Sequence, residues 1–169
     1  QDCVHAARYL AEQGLVDGER LCIRGGSAGG FTTLCALAFY QDFAVGCSRY
    51  GVADLHLLDS DDNKFEARYC DSLVGPLPEA ADLYRTRSPI NHVDKFSRPI
   101  ILLQGLEDKV VPPVHAERLC EALAKNGVPH EYITFADEGH GFRMKDSVVK
   151  ALMSEWQFYC KVLGIPHNA

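Results

Sequence analysis

Arg24-Gly25-Gly26-Ser27-Ala28-Gly29-Gly30 joins two segments of different periodicity. Before it, Arg20 to Arg24 is a short apolar run that reads as a strand. After it, Ala28 to Phe39 reads as a helix with small residues at its start. Gly25, Ser27 and Gly29 satisfy G-x-S-x-G. Between a strand and a helix, that pattern describes an elbow that holds serine in a strained turn and tolerates only tiny neighbours. The serine then stands above a sheet at a helix N-terminus, where the amide of Ala28 can donate to a developing oxyanion. A glycine-rich phosphate loop is the rival reading, but the lysine of a P-loop and the G-x-G-x-x-G spacing are both absent. A purely structural glycine turn is the third.

The flanking sequence extends the alternation. Asp2 to Gln13 reads as a helix capped by Asp2, with Val4, Ala7, Leu10 and Ala11 on one face and Gly14 as its stop. Ala44 to Tyr50 is the next strand. Asp54 to Val93 is irregular and broken by Pro76, Pro78 and Pro89, which suggests an excursion of short helices shaping a pocket. Pro99 to Leu103 is a continuous apolar run, as in a strand buried on both faces. Pro113 to Asn126 reads as a helix opened by Pro112-Pro113 and closed by Asn126-Gly127, and His130 to Phe135 as a strand. The final helix runs from about Ser147 to Leu163. Val149, Leu152, Met153, Trp156, Cys160 and Leu163 are its expected buried stripe, with Trp156 in the core. Four strand-helix alternations predict an α/β fold, a parallel sheet flanked by helices, with ligands at the carboxyl ends of the strands.

Two more loops follow strands. In Gln104-Gly105-Leu106-Glu107-Asp108-Lys109, Glu107 and Asp108 compete as the acid that holds an imidazole in its productive tautomer. In Asp137-Glu138-Gly139-His140-Gly141-Phe142, His140 sits in an open glycine-flanked turn from which it can reach Ser27. Alone, each reads as a solvated loop acid or an ordinary histidine. Together, serine, acid and histidine after successive strands have the chain order of an α/β-hydrolase triad. His5, His56, His92, His115, His130 and His167 have no partner at metal-ligand spacing and read as structural or exposed.

The 169 residues suit one domain spanning 1–169, with 47% hydrophobic and 24% charged residues. A net charge of −6 argues against a nucleic-acid partner. No apolar run is long enough to cross a membrane. The seven cysteines form no C-x-x-C pair, and most lie in apolar runs such as Leu21-Cys22-Ile23. They read as buried free thiols, which points to a reducing, cytoplasmic compartment.

With these residues in place, the chain resembles the catalytic domain of the prolyl oligopeptidase family of serine peptidases, in its acylaminoacyl-peptidase and aminopeptidase-like branch. The resemblance rests on five stretches: 24–31, Lys64-Phe65-Glu66-Ala67-Arg68-Tyr69, Arg87-Ser88-Pro89-Ile90, 104–108 and 138–142. It implies Ser27 as nucleophile, His140 as general base and acid, Asp108 rather than Glu107 as the orienting acid, and no metal or organic cofactor. It implies a peptide substrate cleaved near its N-terminus by acyl transfer. A carboxylesterase with the same triad, and an inactive piece lacking its N-terminal part, are the alternatives.

The resemblance also implies strands before Asp2, a β-propeller and a second oxyanion donor, none of which this sequence includes. The chain, which begins at Gln1, is therefore expected to be the C-terminal part of a longer polypeptide. The strand at Arg20 to Arg24 would otherwise leave an open apolar edge, beside Leu21 and Ile23, available for self-association. Phe31, Tyr50, Phe65 and Tyr69 are expected to offer apolar surface to a substrate side chain. Glu66 is expected in an ion pair with a nearby arginine or, less simply, against a substrate ammonium.

Overall fold

Side-chain alternation in the most apolar strand organises the molecule. The computed structural model describes residues 1–59 and 69–166. In β3 (Ile100–Gly105) every residue is buried. Ile100 and Leu102 enter one core cluster, with Leu34 and Leu37 of α2 (Ala28–Phe39) and Leu119 and Leu123 of α6 (Val114–Lys125). Ile101 and Leu103 enter a second cluster, with Ala151 and Phe158 of α7 (Lys145–Leu163). Successive residues of a strand face opposite sides, so one run of four apolar residues builds both cores.

The four strands, β1 (Cys22–Gly26), β2 (Val45–Arg49), β3 and β4 (His130–Phe135), pair in parallel and in chain order. The helix α1 (Asp2–Glu12) adds Val4 to the first cluster. The excursion after β2 folds into α3 (Leu55–Asp59), α4 (Tyr69–Leu73), α5 (Ala81–Arg87) and a 3-10 segment, Pro89–Lys95. A third cluster, built on Val52, Leu55, Cys70, Tyr84 and Val111, packs this excursion against the loop that follows β3. That small core forms the wall of the site described below.

Three expectations need correction. β1 lies two residues later than Arg20 to Arg24, because Gly25 and Gly26 still pair with Ser48 and Arg49 before the chain turns. The buried face of α7 is not the most apolar one. Ser147, Ala151, Glu155, Phe158 and Cys160 are buried, whereas Val149, Leu152 and Met153 are about half exposed and Trp156 is 51% exposed. Glu155 causes this rotation. It is buried between Arg24 and Arg49 and accepts from the Tyr159 hydroxyl at 2.9 Å. A buried carboxylate must be paired, so the helix turns its acid inward and Ala151 gives it close approach to the sheet.

The third correction concerns the thiols. All seven cysteines are free, but Cys3 and Cys22 are exposed and only Cys47, Cys70 and Cys160 are buried. At the edge, β1 pairs only with β2 among the described residues. Ile23 is nonetheless buried and Leu21 packs on the first cluster, so Cys22 and Arg24 are the side chains exposed beside that edge. No helix among the described residues is long and apolar enough to cross a membrane.

Candidate active site

The carboxyl ends of β1, β3 and β4 bring three side chains together. β1 runs straight into α2 with Ser27 between them, at φ 55° and ψ −121°. Such a positive φ is costly for a residue with a side chain and persists only where the surroundings enforce it. Here the Ser27 amide donates to the carbonyl of Arg49 at 3.0 Å, and a Cβ added at Gly25 would lie 2.2 Å from the Gly29 carbonyl oxygen. Gly25 therefore answers a real steric demand, as the elbow reading requires, whereas a Cβ at Gly29 would meet nothing within 4 Å. Ser27 is the N-cap residue of α2. The amide of Ala28 begins the helix and has no intrahelical acceptor.

Asp108 lies in the turn after β3 with its side chain fully out of solvent. Its Oδ1 accepts the amides of Val110 and Val111, each at 2.9 Å. Its Oδ2 accepts from the buried amide of Gln104 at 3.4 Å and from His140 Nδ1 at 2.9 Å. A carboxylate only accepts, so Nδ1 carries the proton and Nε2 is left as an acceptor. The Ser27 hydroxyl donates to that Nε2 at 2.8 Å. The result is one continuous hydrogen-bonded chain, Ser27 to His140 to Asp108. Glu107, the competing acid, is exposed and takes no part in it.

A cavity of about 250 Å³ opens beside Ser27 and Ala28. Phe31, Val52, Leu55, Tyr69, Val74 and Val111 line it, and Arg87 adds one cation. Phe31 and Tyr69 thus lie where an apolar wall was expected. Tyr50 does not line the cavity. Its ring packs edge-on against His140 at 4.9 Å and against Phe142 at 5.3 Å, bracing the imidazole from the side. Phe65 and Glu66 lie outside the described residues.

The sequence carried no clear signal for Gln104 or Glu138 as site residues. Gln104 is fully buried and its amide nitrogen also donates to the carbonyls of Gly105 and Val111. A glutamine at the end of an otherwise apolar strand was the available hint. Glu138 is also buried, and its carboxylate accepts backbone amides on the far side of the histidine turn.

Residues 1–166 match the prolyl oligopeptidase family. The chain is similar to dipeptidyl aminopeptidase BIII of Pseudoxanthomonas mexicana, with 31% identity over 147 residues, covering 83% of this chain and 21% of that protein. It is 31% identical over 148 residues to the acylamino-acid-releasing enzyme of Arabidopsis thaliana, covering 83% of this chain and 19% of that one. Among solved structures, a puromycin-hydrolyzing peptidase of Mycobacterium tuberculosis superposes with a TM-score of 0.97 at 43% identity, over 99% of this chain and 26% of that one. The chain therefore spans about a fifth to a quarter of the length of these relatives. A match over nearly every residue, a sheet that superposes and an α/β-hydrolase elbow make one conclusion: the chain belongs to the prolyl oligopeptidase family of the α/β-hydrolase fold.

Proposed function

We propose that this chain supplies the reacting groups of a serine peptidase that cleaves peptide bonds near the N-terminus of its substrates. The observation that carries the reading is the Ser27–His140–Asp108 hydrogen-bonded chain, with Ser27 at the mouth of an apolar cavity. Ser27 Oγ attacks the scissile carbonyl while His140 Nε2 takes its proton. Asp108 holds the imidazole with Nδ1 toward itself and stabilises the imidazolium. The Ala28 amide donates to the oxyanion. His140 then protonates the leaving amine, and a water activated by the same imidazole releases the acyl group. The cavity beside Ser27 takes an apolar side chain. Cleavage near the N-terminus is favoured by the relatives, whose names describe dipeptidyl and acylamino-acid release.

The edge of β1 and the exposed face of α7 are read as the places where preceding segments of a longer polypeptide pack. Concentration-independent elution of residues 1–169 as a monomer in size-exclusion chromatography would count against that.

The test of the function pairs fluorophosphonate labelling with matched anilide and ester substrates, N-terminally free and blocked. Labelling and anilide cleavage that both vanish in Ser27→Ala are expected. Ester cleavage without anilide cleavage would replace the peptidase reading with a carboxylesterase one.

A further inference from the structure

Glu138 lies two residues before His140 and is only 3% exposed. Backbone amides satisfy its carboxylate. Oε2 accepts the Arg143 amide at 3.0 Å and Oε1 accepts the Met144 amide at 2.8 Å. These bonds close a ring around Gly139, His140, Gly141 and Phe142. Two of those four residues are glycine, so the segment has little stiffness of its own. Hydrogen bonds to an ionised acceptor are about twice as strong as neutral ones, and Met144 is also the N-cap of α7, whose positive end suits an anion.

The backbone of the same residue reaches the other loop. The Glu138 carbonyl accepts the amide of Glu107, the neighbour of Asp108, at 2.9 Å. The approach is so close that a Cβ at Gly105 would lie 2.3 Å from that carbonyl oxygen. Glu138 thus touches both the turn that carries the imidazole and the turn that carries its acid.

We propose that Glu138 is a positioning residue for His140: it holds the backbone beyond the histidine turn and so sets the imidazole between Ser27 and Asp108. It touches no substrate and moves no proton. The consequence for reactivity rests on the reading of Ser27 as nucleophile. The demand is steep, because a misplacement of about 1 Å in such a site costs on the order of 100-fold in rate.

The test uses the protein at its natural full length and compares Glu138→Ala, Glu138→Gln and Ala151→Gly. Ala151→Gly loosens α7 at a buried position and removes none of the hydrogen bonds that close the histidine turn. Two readouts are taken together: the rate of fluorophosphonate labelling at Ser27, and the far-downfield proton resonance of the imidazole Nδ1–H. Glu138→Ala should label at least tenfold more slowly and lose the resonance. Glu138→Gln, which keeps one acceptor oxygen and the volume, should fall between. Ala151→Gly should stay within twofold of the parent. A Glu138→Ala rate within twofold of the parent overturns the proposal. So does an equal slowing in Ala151→Gly at an equal loss of melting temperature. If Glu138→Ala does not fold, Glu138→Gln decides, with threefold slowing expected and an unchanged rate overturning. If Ser27→Ala is labelled as fast as the parent, the nucleophile reading fails separately. The resonance then still decides, its survival in Glu138→Ala overturning the positioning role and its loss upholding it.

Discussion

The carbonyl of Arg49 accepts the amide of Ser27 at 3.0 Å, while the guanidinium of the same residue pairs with Glu155, buried on α7. The seat of the elbow is therefore anchored through β2 to the helix on the opposite face of the sheet. Removing one member of a buried pair leaves an uncompensated charge and costs about 3–5 kcal/mol. Arg24 is more than half exposed and can rehydrate, so the lower part of that range applies. Glu155→Ala is expected to lose about 3 kcal/mol in urea denaturation, and fluorophosphonate labelling of Ser27 should slow as well. Unchanged stability would mean that the pair is not formed in solution.

Asp108 and Glu107 give a sharp contrast. Asp108→Asn preserves shape but favours the wrong imidazole tautomer, and a loss of roughly 1,000- to 10,000-fold in kcat is expected. Glu107→Gln, at an exposed neighbour, should stay within about twofold. Steady-state kinetics on an anilide substrate checks both, with circular dichroism confirming that each variant folds. Comparable losses in the two would remove Asp108 from its role.

Gly25→Ala would place a methyl group 2.2 Å from a backbone carbonyl that cannot move without unwinding the first turn of α2. Overpacking of this kind typically costs about 1–3 kcal/mol. A fall of that size in thermal unfolding, together with loss of labelling at Ser27, is expected. Full labelling in the variant would show that the elbow can relax.

Stability should also report on Glu138. The Arg143 amide, first among its partners, holds its carboxyl below the ordinary glutamate range. A carboxyl with a lowered folded-state pKa contributes stability that is complete above its unfolded pKa, about 4.3, and is lost as pH falls through the folded one. The stability gap between the parent and Glu138→Gln should therefore be constant at neutral pH and shrink below about pH 4. Urea titrations across that window check it, and a gap that widened in acid would contradict the assignment.

The thiols should separate by access. Burial pushes the Cys47 thiol up to about 12 and the Cys35 thiol to about 12, which removes their thiolates at neutral pH. Native alkylation at pH 8 should mark exposed Cys3 first. Cys47, Cys70 and Cys160 should react only after denaturation. Peptide mapping by mass spectrometry distinguishes these outcomes, and rapid native labelling of Cys47 would refute them.

What could be read from the residues alone follows the range of the forces involved. The elbow, α2 and β4 are set by neighbours within a few positions, and their reading stands. The orientation of α7 is not local. It depends on Glu155 meeting Arg24 and Arg49, which are 131 and 106 positions away, so the most apolar stripe, with Trp156 on it, misled. The choice between Asp108 and Glu107 rests on the amides of Val110 and Val111 and on buried Gln104, a turn geometry that residue types do not encode. Tyr50 illustrates a different failure. Its aromatic character suggested a pocket wall, but its place beside the imidazole depends on Phe142, which lies on another strand's loop.

The order of the sheet has a consequence for biosynthesis. β1, β2, β3 and β4 are added in the order in which they are translated, and Ser27 is separated from His140 by 113 residues. A nascent chain that has completed the elbow still has no imidazole, and one that has added β3 has the acid but nothing for it to orient. If Ser27 is the nucleophile, as proposed, it has no base beside it until the last strand docks. On the proposed reading of the site, the order of the strands thus delays the assembly of the reacting groups to the last step of the sheet.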